Sequence, residues 1–212
     1  MSENILKKDL IILTADKDME FSIKGILERT ESLRIRKINF NVFNHPHRDP
    51  GCRKNAINYL RQYVDYNYAL VVFDKEGCGK EESAREELEK KIEEELFENG
   101  WKDRSAVIVI DPELENWLWS DSPEVEAALG WTGKSPSLRE KLREKGYLIG
   151  NAVKPYPPKT AVEYALKESH KPRSSSIYYQ IASKVSFQRC QDPAFIKLQQ
   201  KLCEWFGTYK LS

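Results

Sequence analysis

The sequence predicts an α/β fold, with a parallel sheet in residues 1–135 and a helical C-terminal extension in residues 136–212 that packs on it. Three short apolar runs, at residues 9–14, 68–73 and 105–110, have the length and composition of strands that are buried on both faces. Segments with helical spacing of apolar residues alternate with these runs. Such alternation is typical of βαβ units, which build parallel sheets with right-handed crossovers.

The first part of the chain supplies two strand–helix pairs. A polar turn follows the first strand, and apolar residues at helical spacing then predict a helix over residues 19–29. Residues 33–43 alternate apolar and basic side chains, which predicts a strand that is less buried than the first. A loop rich in Pro and His separates this strand from a helix that is expected over residues 53–66.

Two further pairs and the extension complete the expected topology. The third strand leads through a polar turn into a charged helix over residues 81–99. After the fourth strand, Asp111 and Pro112 are the residue types preferred at the N-cap and the first position of a helix, so a helix is expected to begin there. The helices expected in the extension lie at residues 137–145, 159–168, 177–184 and 193–206.

Charge and apolar content exclude several classes of protein. Lys and Arg number 34 and Asp and Glu 33, a net charge of +1, so no overall field attracts nucleic acid or anionic lipid. No apolar run approaches the roughly 20 residues that span a bilayer, and the polar start of the chain does not resemble a signal peptide. The four scattered cysteines form no CxxC pair. We therefore expect a cytoplasmic protein with reduced thiols and no membrane contact.

Aromatic and basic residues in the second half of the chain could contact nucleic acid. Trp117, Trp119 and Trp131 follow the fourth strand, and such side chains can stack on bases, but packing of a helix against the sheet is the favoured interpretation. Basic residues with interleaved tyrosines between Lys154 and Arg173 form the best local basic patch. Acidic residues dilute this patch, so a solvated face is favoured there.

Carboxylates follow three of the expected strands. They are Asp16 and Asp18 after the first strand, Asp74 and Glu76 after the third, and Asp111, Glu113 and Glu115 after the fourth. In open α/β sheets, ligands bind outside the carboxyl ends of the strands. Hard cations such as Mg²⁺ prefer oxygen ligands, and a cation held there can position phosphate and activate water. Any one of these acids could instead serve a helix N-terminus, so their joint occurrence indicates the site.

The loop after the second strand carries a second group of candidates. Two histidines, His45 and His47, lie two residues apart with Asp49 nearby, an arrangement that could ligate a transition metal. A solvated turn is the plain alternative for this loop. Beside an acidic cluster, the loop is better suited to contact phosphate, and the candidates for that contact are His47, Arg48 and Arg53.

Three short motifs, taken in order, resemble the Toprim (topoisomerase–primase) domain. In that superfamily a Glu-Gly turn with a later acid ends the first strand and Asp-x-Asp ends a middle strand; residues 13–18 (Leu-Thr-Ala-Asp-Lys-Asp) and 74–76 (Asp-Lys-Glu) take these places here. Small stand-alone relatives carry Pro-x-x-Glu-x-Trp, which matches residues 112–117 (Pro-Glu-Leu-Glu-Asn-Trp). A later Pro-Lys pair, a basic Ser-rich stretch and a final aromatic helix are also similar, so the resemblance covers most of the chain.

The resemblance implies a function and a division of roles. The sequence looks closest to small Toprim-like proteins of uncertain function that occur in bacterial anti-phage defence gene clusters, often beside ATPases. It implies Mg²⁺ or Mn²⁺ as cofactor, a nuclease or phosphotransfer activity on phosphodiesters, and nucleic acid as a partner. By this resemblance the metal ligands would be Asp16, Asp74, Glu76 and Glu115. The residues acting on the reacting groups would be Asp16, Glu113 and Glu115.

Two departures from the family pattern leave other functions open. The general acid/base Glu of the family aligns with Thr14, and the second acid of Asp-x-Asp is the longer Glu76. The alternative is a non-catalytic module that docks on a defence ATPase or another subunit, with exposed tryptophans such as Trp119 and the Pro-rich loop as anchors. An ordinary small-molecule enzyme ranks last because the sequence lacks a glycine-rich cofactor turn.

Overall fold

A computed structural model of the chain describes residues 8–187 and 190–208. The polar N-terminal residues that bear on a signal peptide lie outside these ranges. Within them, no helix has the length and apolar character needed to cross a membrane.

The core of the fold is a sheet of four parallel strands in the order β2-β1-β3-β4. The strands are β1 (Leu10–Thr14), β2 (Phe40–Asn44), β3 (Tyr68–Asp74) and β4 (Ser105–Ile110). The prediction of an α/β fold on a parallel sheet is therefore confirmed. Thr14 is aligned with Asn44 on one side and Val72 on the other, and Asp74 with Ile110, so all four strands end at one edge. The direction of winding reverses between β1 and β3, which makes that gap the topological switch point.

Burial explains why three of the strands were recognisable in the sequence. Every residue of β1 is fully buried, β3 is buried apart from its two end residues, and β4 is buried apart from its first residue. β2 is half-exposed at the sheet edge and is shorter than the expected strand over residues 33–43. Its first residues fold elsewhere: Leu33 ends a short helix, and Ile35 and Arg36 pair with the backbone at the C-terminal end of the chain's last described helix.

Ten α-helices surround the sheet in the described residues. They are α1 (Lys17–Leu27), α2 (Thr30–Leu33), α3 (Arg48–Leu60), α4 (Arg85–Leu96), α5 (Glu115–Leu118), α6 (Pro123–Ala128), α7 (Leu138–Glu144), α8 (Pro158–Ser169), α9 (Ser175–Lys184) and α10 (Pro193–Phe206). Short 3₁₀ segments occupy Arg61–Tyr63 and Lys102–Arg104, and a π-type turn occupies Phe97–Trp101. Helices at the four positions expected in the extension are present; the domain boundary at residue 135 stays a prediction.

The prediction that a helix begins at Asp111 is wrong, because α5 begins four residues later at Glu115. The segment after β4 instead pairs with the segment after β3. The Lys75 and Glu76 N–H groups donate to the Ile110 and Pro112 carbonyl oxygens at 2.8 and 2.9 Å. The Asp111 carboxylate accepts from Lys75 Nζ at 2.9 Å and is therefore not a helix cap. Two strand ends are thereby tied together beside the candidate site.

A glycine allows the close packing of α9 on α1. A Cβ at Gly25 would lie 2.9 Å from the Tyr179 carbonyl oxygen and 3.1 Å from the Ala182 Cβ, so a side chain there would force the helices apart. Of the helices beyond residue 135, α9 packs on α1 and α10 packs on β4. The first of these contacts brings Tyr178, at the start of α9, beside the residues that follow β1.

The tryptophans after β4 pack inside the protein, as favoured from the sequence. Trp119 and Trp131 are 4% and 5% exposed, and their indole N–H groups donate to the Pro158 and Ala165 carbonyl oxygens. The suggestion that exposed tryptophans such as Trp119 anchor a partner is therefore wrong. Both indoles are hydrogen-bonded to the backbone of α8, so their N–H groups already have partners.

Candidate functional site

Carboxylates follow all four strands and meet at the carboxyl edge of the sheet. Asp16 follows β1, Asp49 lies in the first turn of α3 after β2, and Asp74 is the last residue of β3. Glu113 and Glu115 follow β4. We call these five side chains the carboxylate cluster. Because Asp16 and Asp74 follow the two central strands, the cluster lies at the topological switch point, where open α/β sheets bind ligands.

Asp74 is the electrostatic centre of the cluster. Burial raises its pKa well above the ordinary value, and repulsion from Asp49, Glu115, Asp16 and Glu113, in that order, raises it further. Its Oδ1 atom is sealed from solvent and has no hydrogen-bond partner within the described part of the chain. A buried carboxylate oxygen without a partner is costly, since the protein does not replace the water it has lost.

Asp16 and Asp49 are each fixed through one oxygen. Asp16 is the N-cap of α1, and its Oδ1 accepts from the Met19 N–H at 3.0 Å. The Oδ1 of Asp49 accepts from the backbone N–H of Asp74 at 2.8 Å. Burial is the largest cause of the raised pKa of Asp49. The structural role of Asp16 as a helix cap thus coexists with its place in the cluster, and neither second oxygen accepts a hydrogen bond from a described residue.

The two glutamates after β4 are fixed in the same way. The Oε1 of Glu113 accepts from the Lys159 N–H at 2.9 Å, and burial raises the pKa of this carboxyl group. The Oε1 of Glu115 accepts from the Tyr178 hydroxyl at 2.7 Å, with Arg173 Nη2 at 3.4 Å. Both residues are buried, yet their Oε2 atoms accept no hydrogen bond from the described residues. Each anchored member of the cluster therefore keeps one oxygen for another ligand.

Arg173 ties the C-terminal half of the chain to the site. Its Nη2 lies 2.9 Å from Asp18 Oδ2 and 2.9 Å from the Tyr178 hydroxyl, and its Nη1 lies 3.1 Å from Glu163 Oε1. Burial works against its charge, but Tyr178, Asp18 and Glu115 together raise the pKa of Arg173. Arg173 is exposed, in line with the solvated face favoured for this patch, but its guanidinium also bridges α1, α9 and the segment after β4.

The expected phosphate contacts do not converge on one point. His47 and Arg48 are exposed at the start of α3, next to Asp49 of the cluster. The guanidinium of Arg53 turns to the loop after β3, where its Nε donates to the Cys78 carbonyl oxygen at 2.7 Å. His47 and Arg48 therefore remain beside Asp49, whereas Arg53 is committed to the loop after β3.

His45 is a packing residue. It is 5% exposed, and its Nδ1 accepts from the His47 N–H at 3.0 Å. A Cβ at Gly51 would lie 2.0 Å from this Nδ1, so glycine is required for the ring to fit. Burial, followed by the charge of His47, lowers the pKa of His45 and keeps the ring neutral. The two histidines therefore do not present a joint pair of ligands, because one of them is committed to the backbone.

Glu76 and Thr14 occupy two positions of the family pattern, but neither belongs to the carboxylate cluster. Glu76 is exposed, and its charge contributes to the raised pKa of Glu113, for which burial is the largest cause. Thr14 is fully buried, and its hydroxyl donates to Asn44 Oδ1 at 2.6 Å. A neutral hydroxyl that is occupied by the sheet therefore stands where the resemblance places a general acid/base. Across residues 8–187 and 190–208, no three acidic, His or Cys side chains are already gathered closely enough to enclose a metal ion.

Three participants have roles that the sequence did not assign to them: Asp49 was considered only beside the two histidines, Arg173 only as part of the basic patch, and Tyr178 not at all. Asp49 had a signal, since it lies beyond the second strand at the same edge as the other acids. Tyr178 and Arg173 had none, because only the packing of α9 on α1 brings them to Glu115.

Comparisons with protein-family models, with curated proteins and with solved structures find no match for this chain. The chemistry must therefore be argued from the arrangement itself. Oxygen donors surround a buried and unpaired carboxylate, cationic and hydroxyl groups hold the outer glutamate, and histidine and arginine lie at the rim. Carboxylate oxygens are the ligands that hard cations prefer, and cationic groups favour anions.

Proposed function

We propose that this protein is a Toprim-like component of a bacterial antiviral defence system that uses Mg²⁺ or Mn²⁺ to cut or transfer phosphodiesters. The observation that carries the proposal is the partnerless Oδ1 of Asp74, buried among four other carboxylates at the switch point of a parallel sheet. The motif resemblance supports the family and the defence setting, and the electrostatics support the cation.

The donor set fits a hard divalent cation. Carboxylate oxygens are the ligands that Mg²⁺ and Mn²⁺ prefer, and each anchored acid of the cluster keeps one oxygen available. A cation would also offset the repulsion that raises the pKa of Asp74. Asp74, Asp16 and Asp49 are the residues that would hold it, with Glu115 at its border. When bound, such a cation positions phosphate oxygens and lowers the pKa of a bound water.

The other residues of the site have roles that do not depend on that cation. Tyr178 and Arg173 fix the orientation of Glu115, which limits the rotamers open to its carboxylate. Glu113 has a raised pKa and one anchored oxygen, so its second oxygen can accept a proton at a pH closer to neutral than an ordinary glutamate would. His47 and Arg48 are exposed at the rim, where a phosphate group would enter.

A cleavage assay tests the proposal. Labelled single- and double-stranded DNA and RNA are incubated with the protein and Mn²⁺ or Mg²⁺, and the wild type is compared with Asp74→Asn. We expect cleavage or transfer that falls by about 100-fold or more in the variant, the loss typical of damaged metal sites. Asp65→Asn is the matched control, since Asp65 is an exposed acid that pairs with Lys8 far from the cluster. Activity that survives in folded Asp74→Asn would contradict the proposed roles.

One observation favours a second candidate, a non-catalytic module that docks on a defence ATPase or another subunit. Thr14 is sealed in the sheet and bonded to Asn44, so the position expected to hold a general acid/base carries none. This candidate predicts that the purified chain binds Mn²⁺ without acting on any of the four substrates. It also predicts a stable complex with an ATPase encoded beside it, measured by native mass spectrometry. Metal-dependent turnover would exclude it.

A further inference from the structure

A cavity of about 770 Å³ lies on the other side of the segment that carries Glu113 and Glu115. The residues between and after these glutamates, including Leu114 and Trp117, face the cavity, while the two carboxylates belong to the cluster. Its volume is within the range of about 300–1,000 Å³ that small-molecule sites occupy. The cavity is therefore large enough for a ligand and is separate from the proposed catalytic site.

The walls of this cavity are aromatic and aliphatic. The rings of Trp117, Trp119, Phe187 and Phe195 line it, and Trp117 packs edge-to-face on Phe195 with ring centroids 5.2 Å apart. Flat apolar walls of this kind favour planar ring systems, which gain both dispersion and stacking contacts. We call this site the aromatic cavity.

Three polar atoms in the walls are buried and lack hydrogen-bond partners among the described residues. They are Ser22 Oγ on α1, Trp117 Nε1 and Ser120 Oγ. Ser22 is only 2% exposed, so its hydroxyl has lost bulk water without replacement. An indole N–H can only donate, whereas a hydroxyl donates or accepts. Together the three atoms therefore call for a ligand with at least one acceptor and further polar edge atoms.

One lysine and two carboxylates, Asp121 and Asp192, line the same cavity. Asp192 accepts from Asn116 and from the first N–H groups of α10, and Asp121 pairs with Arg139, so both acids are bound to other groups of the protein. The lysine, Lys154, is half-buried, and no carboxylate of the described residues lies within salt-bridge distance of its Nζ. An unpaired and partly desolvated ammonium group favours an anionic substituent on the ligand.

We propose that the aromatic cavity binds a planar heteroaromatic ring that carries an anionic group, the chemistry of a nucleoside monophosphate. The ring stacks between the aromatic walls, acceptor atoms on its edge receive the Trp117 N–H and the serine hydroxyls, and the phosphate pairs with Lys154. This inference goes beyond the proposed phosphodiester chemistry and does not depend on a cation at the carboxylate cluster.

Calorimetric titration without divalent cations tests it. The four ribonucleoside 5′-monophosphates and their nucleosides are titrated into the full chain in the presence of EDTA. We expect at least one monophosphate to bind with a dissociation constant on the order of 10–100 µM, and its nucleoside to bind about tenfold more weakly. An oligonucleotide that ends in the same monophosphate distinguishes the source: tighter binding than the free nucleotide identifies a strand end as the ligand.

Two variants separate the contributions of the indole N–H and of the lysine charge to ligand binding. Trp117→Phe keeps a ring but removes the N–H donor, and should weaken nucleotide and nucleoside alike by about 5- to 10-fold. Lys154→Gln should weaken the monophosphate alone by about tenfold, so that it binds no better than its nucleoside. Thermal melting of each variant shows whether it is folded.

Trp205→Phe and Asp65→Asn are the matched controls, since Asp65 is an exposed acid that pairs with Lys8. Trp205 also has a buried N–H without a partner among the described residues, but it stacks on Tyr68 at 4.7 Å and does not line the cavity. Neither control should change binding. The inference is overturned if no monophosphate binds at about 1 mM, which would leave the three polar atoms to water alone. It is also overturned if Trp205→Phe weakens binding as much as Trp117→Phe.

Discussion

Two groups of buried acids are treated in opposite ways by this fold. On the outer edge of β4, Glu89 accepts from the Val109 N–H at 2.9 Å and pairs with Arg85 at 2.7 Å and Lys197 at 3.1 Å. At the carboxyl ends of the strands, the buried Oδ1 of Asp74 receives no hydrogen bond from the described residues. The Glu89 carboxylate and the Oδ1 atom of Asp74 are both shielded from water, but among the described residues only Glu89 receives partners.

Glu89 and Glu93, which we call the edge group, have a structural role that accounts for their partners. Glu93 accepts from the Val107 N–H at 2.9 Å and pairs with Lys197 at 2.7 Å, so α4 and α10 jointly cover the outer edge of β4. Free strand edges invite pairing with other chains, and covering them is a common protection. The described residues provide hydrogen-bond donors to Glu89 and Glu93 but none to the Oδ1 atom of Asp74. Under the proposed function, a cation would supply the partner that the described residues do not give Asp74.

The largest expected effect comes from removing the edge group. Glu89→Ala leaves the Val109 N–H, Arg85 and Lys197 without their shared acceptor in a buried setting. We expect the free energy of unfolding to fall by about 3–5 kcal/mol, as in other broken buried ion pairs. Urea denaturation measures it. A loss comparable to that of an exposed salt bridge would show that the edge group is not the structural counterpart we describe.

Substitution of Asp74, at the end of β3, should change the free energy of unfolding in the opposite direction. Asp74→Asn removes a buried charge that is repelled by its neighbours, so we expect the metal-free protein to gain about 0.5–2 kcal/mol of stability. The same denaturation experiment in EDTA measures this gain. A destabilised Asp74→Asn would mean that the carboxylate has a structural partner after all, and the comparison would fail.

The stability gained by Asp74→Asn should depend on pH. Because the pKa of Asp74 is raised in the folded protein above its ordinary 3.8, its ionisation opposes folding. Below pH 3.8 the group is protonated in both states and the variant has no advantage. As pH rises through the folded-state pKa, the wild type loses stability relative to the variant. The difference between the denaturation midpoints of the variant and the wild type, measured at each pH, should therefore grow as pH rises. A difference that stays constant with pH would contradict the electrostatic cause.

The smallest effect is expected at the clamp between the two halves of the chain. Arg173→Lys retains a charge but cannot span Asp18, Glu115 and Glu163 as a planar guanidinium does. We expect a loss of about 1 kcal/mol, because the group is more than a third exposed. Asp65→Asn, at an exposed pair, is the baseline and should leave the midpoint unchanged. A larger loss in Arg173→Lys would make the clamp a major support of the fold.

The sequence allowed the sheet to be predicted because burial on both faces leaves a continuous apolar run. The same logic extended to the site: parallel strands that end together must bring Asp16, Asp74 and Glu115 to one edge. Local preference failed where tertiary contacts competed with it. Asp111 matches a helix cap in isolation, but Lys75 lies close enough to bind it.

The rest of the site depends on contacts that no local pattern encodes. Arg173 lies in a loop between two helices and reads as a solvated residue, and only the approach of α9 to Gly25 brings its neighbour Tyr178 to Glu115. The aromatic cavity is another such feature, because its walls come from segments far apart in the chain. Strand ends can be predicted from one sequence, whereas the helices that close over them cannot.

The most direct test of this account is a calorimetric titration of Mn²⁺ and Mg²⁺ into the wild type, Asp74→Asn and the control Asp65→Asn. The account predicts that the wild type and the control bind one of these cations with similar affinity. It also predicts that Asp74→Asn stays folded, melts at a higher temperature and does not bind. Equal binding in all three proteins, or no binding in any of them, would contradict the claim that Asp74 is left unpaired to receive a cation.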